Sequence, residues 1–144
     1  MTVIDLSVLS AFWLGGHARA AAERLYANHP DWALPVAWRC DFRRQLDTWV
    51  GCEQITPVDA DQIWNAVLCQ VADREYFCGS LDVLELVARH GLGRFDAEVV
   101  SFARARGQRF HTANPRLAAL FPDLATLLTD VAPERRVWVA RKAA

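Results

Sequence analysis

Short apolar strands alternating with helical stretches predict an α/β fold, a three-layer α/β/α sandwich around a short, mainly parallel central sheet. Two further observations point the same way. Polar residues stand where strands end: Asp5 after the first apolar run, Asp41 after the second, and Asn114 after a later one. In parallel sheets the carboxyl ends of strands are where ligands collect. The length of 144 residues, 53% of them hydrophobic, fits one domain with a core that removes roughly two thirds of the unfolded surface from water.

Val3-Ile4 reads as a short buried strand, and Asp5 stands directly before the helical run Leu6-Ser7-Val8-Leu9, with Ser7 able to cap that turn. Gly15-Gly16 breaks the pattern, and a second helix is expected from about His17 to Ala27. The turn Asn28-His29-Pro30-Asp31 leads into a strand over Trp32–Val36. Trp38, Phe42, Leu46 and Trp49 then recur at helical spacing.

Thr56-Pro57 with Asp59 announces a helix through Ile63, Trp64, Val67, Leu68 and Val71, since proline is favoured in a first helical turn. Glu75–Cys78 is expected as a short strand. Ser80 is expected to cap a helix that stops at Gly91, and Phe95, Val99, Phe102 and Ala103 mark another ending at Gly107. Arg109–Thr112 is the next strand, Pro133–Val139 a further edge strand, and residues 140–144 a loose tail. The whole chain, 1–144, is expected to form a single domain.

The net charge of −1 conceals an asymmetry: residues 1–88 carry six arginines against twelve acids, and residues 89–144 carry ten basic groups against five acids. A basic strip beside an acidic site suits a phosphate-bearing ligand, while solvated charge on separate faces is the plainer reading. Cys40, Cys52, Cys69 and Cys78 lack zinc-ligand spacing and are expected to be mostly buried small hydrophobes. No opening run suits a signal peptide or a membrane span, so the expected location is cytoplasmic, with no membrane contact.

On a helix beginning near Ala37, Asp41 falls on the border of the apolar stripe. Asp96 is bracketed by Phe95, Val99, Val100 and Ala103, where an unpartnered carboxylate is costly. Each acid has a simpler reading: Asp96 as a helix cap or a partner of Arg94 or Arg89, Asp41 as a partner of Arg44 or Arg39, and Asp5 as the cap of the first helix. Taken together, acids without histidine or cysteine suit Mg²⁺ or Mn²⁺, and hence phosphate chemistry through an activated water. No dinucleotide fingerprint or Walker-type lysine competes, Lys142 being the single lysine. His111 adjoins Thr112-Ala113-Asn114 and so attracts notice among otherwise scattered histidines.

The order and spacing of Val3–Leu9, Pro35–Asp41, Val83–Ala88, Phe95–Glu98 and Phe110–Asn114 resemble the PIN domain over nearly the whole chain, and more closely its VapC-like toxin ribonucleases of type II toxin–antitoxin pairs. The resemblance implies a metal-dependent endoribonuclease, a homodimer, and an antitoxin that enters the active-site groove. By position it makes Asp5 and Asp96 the metal ligands. Asp41 stands where the family usually has glutamate, one methylene short of that reach, and Asn114 where many relatives have aspartate, with Thr112 as its hydroxyl companion. Arg43, Arg94 and Arg116 are the basic residues taken as RNA contacts. The alternative is a catalytically weakened PIN-like domain that binds protein or RNA without cutting it, and a DNA-processing nuclease differs only in substrate.

Overall fold

The computed structural model describes residues 1–129, so the strand expected over 133–139 and the tail lie outside the described residues. The first unit is β1 (Thr2–Ile4), followed by α1 (Leu6–Leu14) and α2 (Arg19–Asn28). The second is β2 (Trp32–Pro35) with α3 (Trp38–Gly51) and α4 (Pro57–Gln70), and the third is β3 (Glu75–Tyr76) with α5 (Ser80–His90) and α6 (Arg94–Arg106). The chain continues through β4 (Phe110–Thr112), α7 (Pro115–Leu120) and β5 (Ala125–Leu127).

The strands form one five-stranded sheet in the order β3-β2-β1-β4-β5, and every neighbouring pair is parallel. The predicted α/β class and the sheet flanked by helices are therefore present. From β1 the chain steps outward to β2 and β3, then returns past β1 to β4 and β5. Right-handed crossovers consequently place α1 to α4 on one face and α5 to α7 on the other. The reversal falls between β1 and β4, and in such sheets that opens a crevice at the strands' carboxyl ends.

Thr56 and Asp59 form a reciprocal capping box at the start of α4, which confirms the sequence signal there. At α1 the capping reading of Asp5 holds, and at α5 the cap is not the expected residue. Asp5, rather than Ser7, caps α1, because its extended backbone lets the side chain reach the Val8 N–H. Gly79 stands at the N-cap of α5 with no side-chain bond, leaving Ser80 inside the first turn. Gly91 and Gly107 end α5 and α6 in the left-handed conformation, at φ of 64° and 61°, where a Cβ would be strained.

The core is built from both sheet faces: Val3, Ile4, Trp32, Leu34 and Phe110 from strands, Val8, Leu9, Trp38, Phe42, Ile63 and Val67 from α1, α3 and α4, and Val99 and Val100 from α6. Trp13, Trp32 and Trp38 are buried, and Trp49 and Trp64 are half-buried against the core. Among the described residues the large apolar groups more than half exposed are instead Phe77 at 84%, Leu81 at 68%, Val58 at 65% and Leu84 at 55%. The cysteines depart from expectation: Cys40, Cys52 and Cys69 are exposed and Cys78 is half-buried. Three of them sit on polar helix faces or ends, where the apolar stripe does not include them. No helix among the described residues is long and apolar enough to cross a membrane.

Candidate functional site

Asp5, Asp41 and Asp96 come from three separate units on the carboxyl side of the sheet; Asp41 and Asp96 line one cleft, and Asp96 is near enough to Asp5 for its charge to act on it. Asp5 leaves β1 and caps α1, Asp41 lies in the first turn of α3, and Asp96 in the first turn of α6. Each carboxylate thus stands at the positive end of a helix, where the unpaired N–H groups favour negative charge. A cleft of about 580 Å³ opens between these helix starts, lined by Leu6, Asp41, Arg44, Gln45, Thr48 and the segment Gly93–Asp96.

Asp5 lies beneath this cleft, 1% exposed. Its Oδ1 accepts the Ser7 hydroxyl at 2.5 Å and the Val8 N–H at 3.1 Å, and its Oδ2 accepts the Thr112 hydroxyl at 2.5 Å. Ser7 and Thr112 are held in turn by backbone: the Ala113 N–H donates to Ser7 Oγ and the Asn114 N–H to Thr112 Oγ1. The backbone N–H of Asp5 donates to the His111 carbonyl, fixing β1 against β4 at this height. Burial raises the Asp5 carboxyl from 3.8 to about 6, the three donors oppose that rise, and the charge of Asp96 adds to it.

Asp96 is half-buried, and its carboxyl is also raised, first by burial and then by the charge of Asp41. The simpler readings of this residue do not hold. Gly93 is the N-cap of α6, and Arg94 donates to Glu98 at 3.0 Å instead of pairing with Asp96. For Asp41 the simpler reading is realised in part, because Arg44 approaches its Oδ1 at 3.7 Å while Arg39 is bound to Glu75.

No family model matches the chain, and no curated protein matches its sequence. The functional reading therefore rests on geometry. Among the described residues no three His, Cys, Asp or Glu side chains are grouped closely enough to hold a metal ion by themselves. The donors present fit a looser site. Asp5 and Asp96 are oxygen donors whose ionisation is opposed by burial and by like charge, a cost a cation removes. Mg²⁺ is commonly held by one or two carboxylates and keeps several waters.

The other expected site residues separate. Thr112 is buried and serves Asp5 directly. Asn114 is the N-cap of α7, its Oδ1 accepting from the Arg116 and Leu117 N–H groups. Arg94 lines the cleft but is tied to Glu98, which is itself buried. Arg43 stacks over the Trp64 ring at 4.4 Å, and Arg116 stands exposed on α7, so neither lines the cleft. The His111 side chain lines a separate recess with His29 and Arg24, away from the acids.

Sequence reasoning missed Arg44, Gln45 and Thr48 as cleft residues. Their signal was available: at three, four and seven residues after Asp41, they continue its face of α3. It also missed Ser7 as a carboxylate donor, since the capping role assigned to it hides a contact that depends on side-chain orientation.

Proposed function

We propose that this protein is a Mg²⁺- or Mn²⁺-dependent endoribonuclease of the PIN class, resembling the VapC-like toxins, that hydrolyses RNA phosphodiester bonds. The observation that supports the reading is that Asp41 and Asp96 share one cleft, with the charge of Asp96 acting on Asp5 and that of Asp41 on Asp96. Carboxylates that oppose one another's ionisation, with Asp5 and Asp96 showing no ion pair among the described residues, suit a site that binds a hard cation.

In this reading Asp5 and Asp96 hold the ion, and Asp41 supports it through water. When bound, the ion supplies an activated water and neutralises charge on the phosphodiester. Ser7 and Thr112 keep the Asp5 carboxylate in one orientation, and Arg44 meets a phosphate at the mouth. Asn114 acts indirectly, by fixing the turn that positions Thr112. The test is cleavage of a mixed single-stranded RNA by wild type and Asp96→Asn with Mn²⁺, Mg²⁺ or chelator. Metal-dependent cutting lost in the variant is expected, and cutting that survives in Asp96→Asn overturns the assignment.

A second reading, a PIN-like module that binds without cutting, is favoured by two specific contacts: Arg44 partly neutralises Asp41, and the Asn114 oxygen is committed to its cap. Wild type that binds RNA but never cleaves it under any of these metals would select this reading. The exposed group Phe77, Leu81 and Leu84 supports a protein partner, either an antitoxin or a second copy. Light scattering of wild type and a Leu81→Lys, Leu84→Lys variant distinguishes self-association from a monomer.

A further inference from the structure

A separate cavity of about 350 Å³ opens between α5 and α6, and it shares no lining residue with the acidic cleft. Asp82, Glu85 and Arg89 recur at three- and four-residue steps and so line it from one face of α5, together with the buried Leu86. Ser101 and Arg104, one turn apart, line it from α6. The volume falls at the small end of ligand pockets, which span roughly 300–1,000 Å³.

Ser101 is 8% exposed, and its hydroxyl has no hydrogen-bond partner among the described residues. Two other helical hydroxyls behave differently: Ser10 donates to the Leu6 carbonyl and Thr48 to the Arg44 carbonyl, each four residues back. A hydroxyl that is buried and leaves its bonding unmade is costly, and this one stands at a cavity where a ligand can supply the partner.

The charges around Ser101 are of both signs and are not spent on one another. Among the described residues no ion pair joins Asp82 or Glu85 to Arg89 or Arg104. Arg104 lies over the Phe121 ring, 5.5 Å from its centroid, a contact that steadies the guanidinium without using its N–H donors. Two carboxylates oppose an anion and two guanidiniums oppose a cation, so a ligand of single charge meets repulsion along with attraction. A small molecule that carries both charges satisfies both sets at once.

The geometry points to a binding site for a free α-amino acid. Its carboxylate takes the N–H donors of Arg104 and the Ser101 hydroxyl, and its ammonium is held between Asp82 and Glu85. The site is independent of the nuclease reading, since neither its residues nor its ligand enters the acidic cleft.

The test titrates the full chain with each of the twenty standard amino acids to millimolar concentration, with binding read by ligand-observed NMR. The best binder is then compared with its N-acetyl form, which lacks the ammonium, and with its amide, which lacks the carboxylate. Each is expected to bind on the order of tenfold more weakly than the zwitterion. Ser101→Ala is expected to weaken binding about three- to tenfold, and Arg104→Gln and Glu85→Gln, both at exposed positions, on the order of tenfold. Arg44→Gln, in the acidic cleft, is expected to leave binding unchanged.

Absence of binding by all twenty amino acids overturns the site. So does a singly charged form that binds as well as the zwitterion, or affinity unchanged in both Ser101→Ala and Glu85→Gln. Binding lost in Arg44→Gln and retained in Ser101→Ala moves the ligand to the acidic cleft and overturns the assignment as well.

Discussion

The Thr112 hydroxyl donates to Oδ2 of Asp5 at 2.5 Å across a sequence separation of 107 residues, tying the end of β4 to the acid that ends β1. The contact exists because β1 and β4 are direct neighbours in register, Ile4 beside His111, so Asp5, just after β1, falls opposite Thr112, the last residue of β4. It joins two parts of the chain and sets the orientation of the most buried carboxylate in the cleft.

Thr112→Val keeps the shape and removes that donor, and it also deprives the Asn114 N–H of its acceptor. Destabilisation of about 1–3 kcal/mol is expected. The loss is larger at pH 7.5 than at pH 5, because the ionised Asp5 depends more on its donors than the protonated one. Urea unfolding at the two pH values measures the difference, and an equal loss at both would contradict this role.

Asp5→Asn is expected to raise stability while abolishing metal-dependent cleavage. The folded-state carboxyl is raised from 3.8 to about 6, so the native state retains a proton that the unfolded chain releases. The resulting penalty is absent below the unfolded value, grows across that window and is complete above about 6. At ~1.4 kcal/mol per pKa unit it is on the order of 3 kcal/mol. Wild type should therefore lose stability between pH 4 and 6.5 while Asp5→Asn loses less, and Mn²⁺ should restore wild type at pH 7.5 alone. Thermal unfolding of both proteins across pH, with and without the ion, reads all three effects.

Arg44→Gln separates structure from binding. The Asp41–Arg44 pair is long and largely exposed, with the Arg44 side chain 79% accessible, so stability should change by less than about 0.5 kcal/mol. If Arg44 meets one phosphate, the slope of log affinity against log salt for single-stranded RNA falls by about 0.7. Anisotropy titrations at several salt concentrations provide the slope.

Asn114→Ala should cost about 1 kcal/mol through loss of the α7 cap, whereas Asn114→Asp, an equally good cap, should leave stability close to wild type. Added acid at this position also lets cleavage rates report whether a further carboxylate helps the ion. Denaturant unfolding of the two variants decides the capping role independently of any activity.

Much of the fold was legible because the apolar periodicities are strong: Trp38, Phe42 and Leu46 mark the buried stripe of α3, and Val99 and Ala103 that of α6. Two elements were not. The α7 helix has six residues, too few to display a period, and β5 has three whose extended state follows from pairing with β4. In the site, the acids were visible as charges set against apolar neighbours. Arg43, expected as an RNA contact, stacks on Trp64 and does not line the cleft, because adjacent positions on a helix point about 100° apart, which places Arg44 beside Asp41.

By itself the sequence determined the alternation of strands and helices, the parallel class of the sheet and the positions of Asp5, Asp41 and Asp96 at element junctions, since these follow from local periodicity and from capping. Only the tertiary structure decided the strand order that places β4 beside β1, the enclosure of Asp5 by Ser7 and Thr112, the pairing of Arg94 with Glu98, and the cleft that Asp41 and Asp96 share. Those features depend on contacts between residues far apart in the chain, whose energies are set by burial and orientation and so become defined only when the sheet and its covering helices have closed around them.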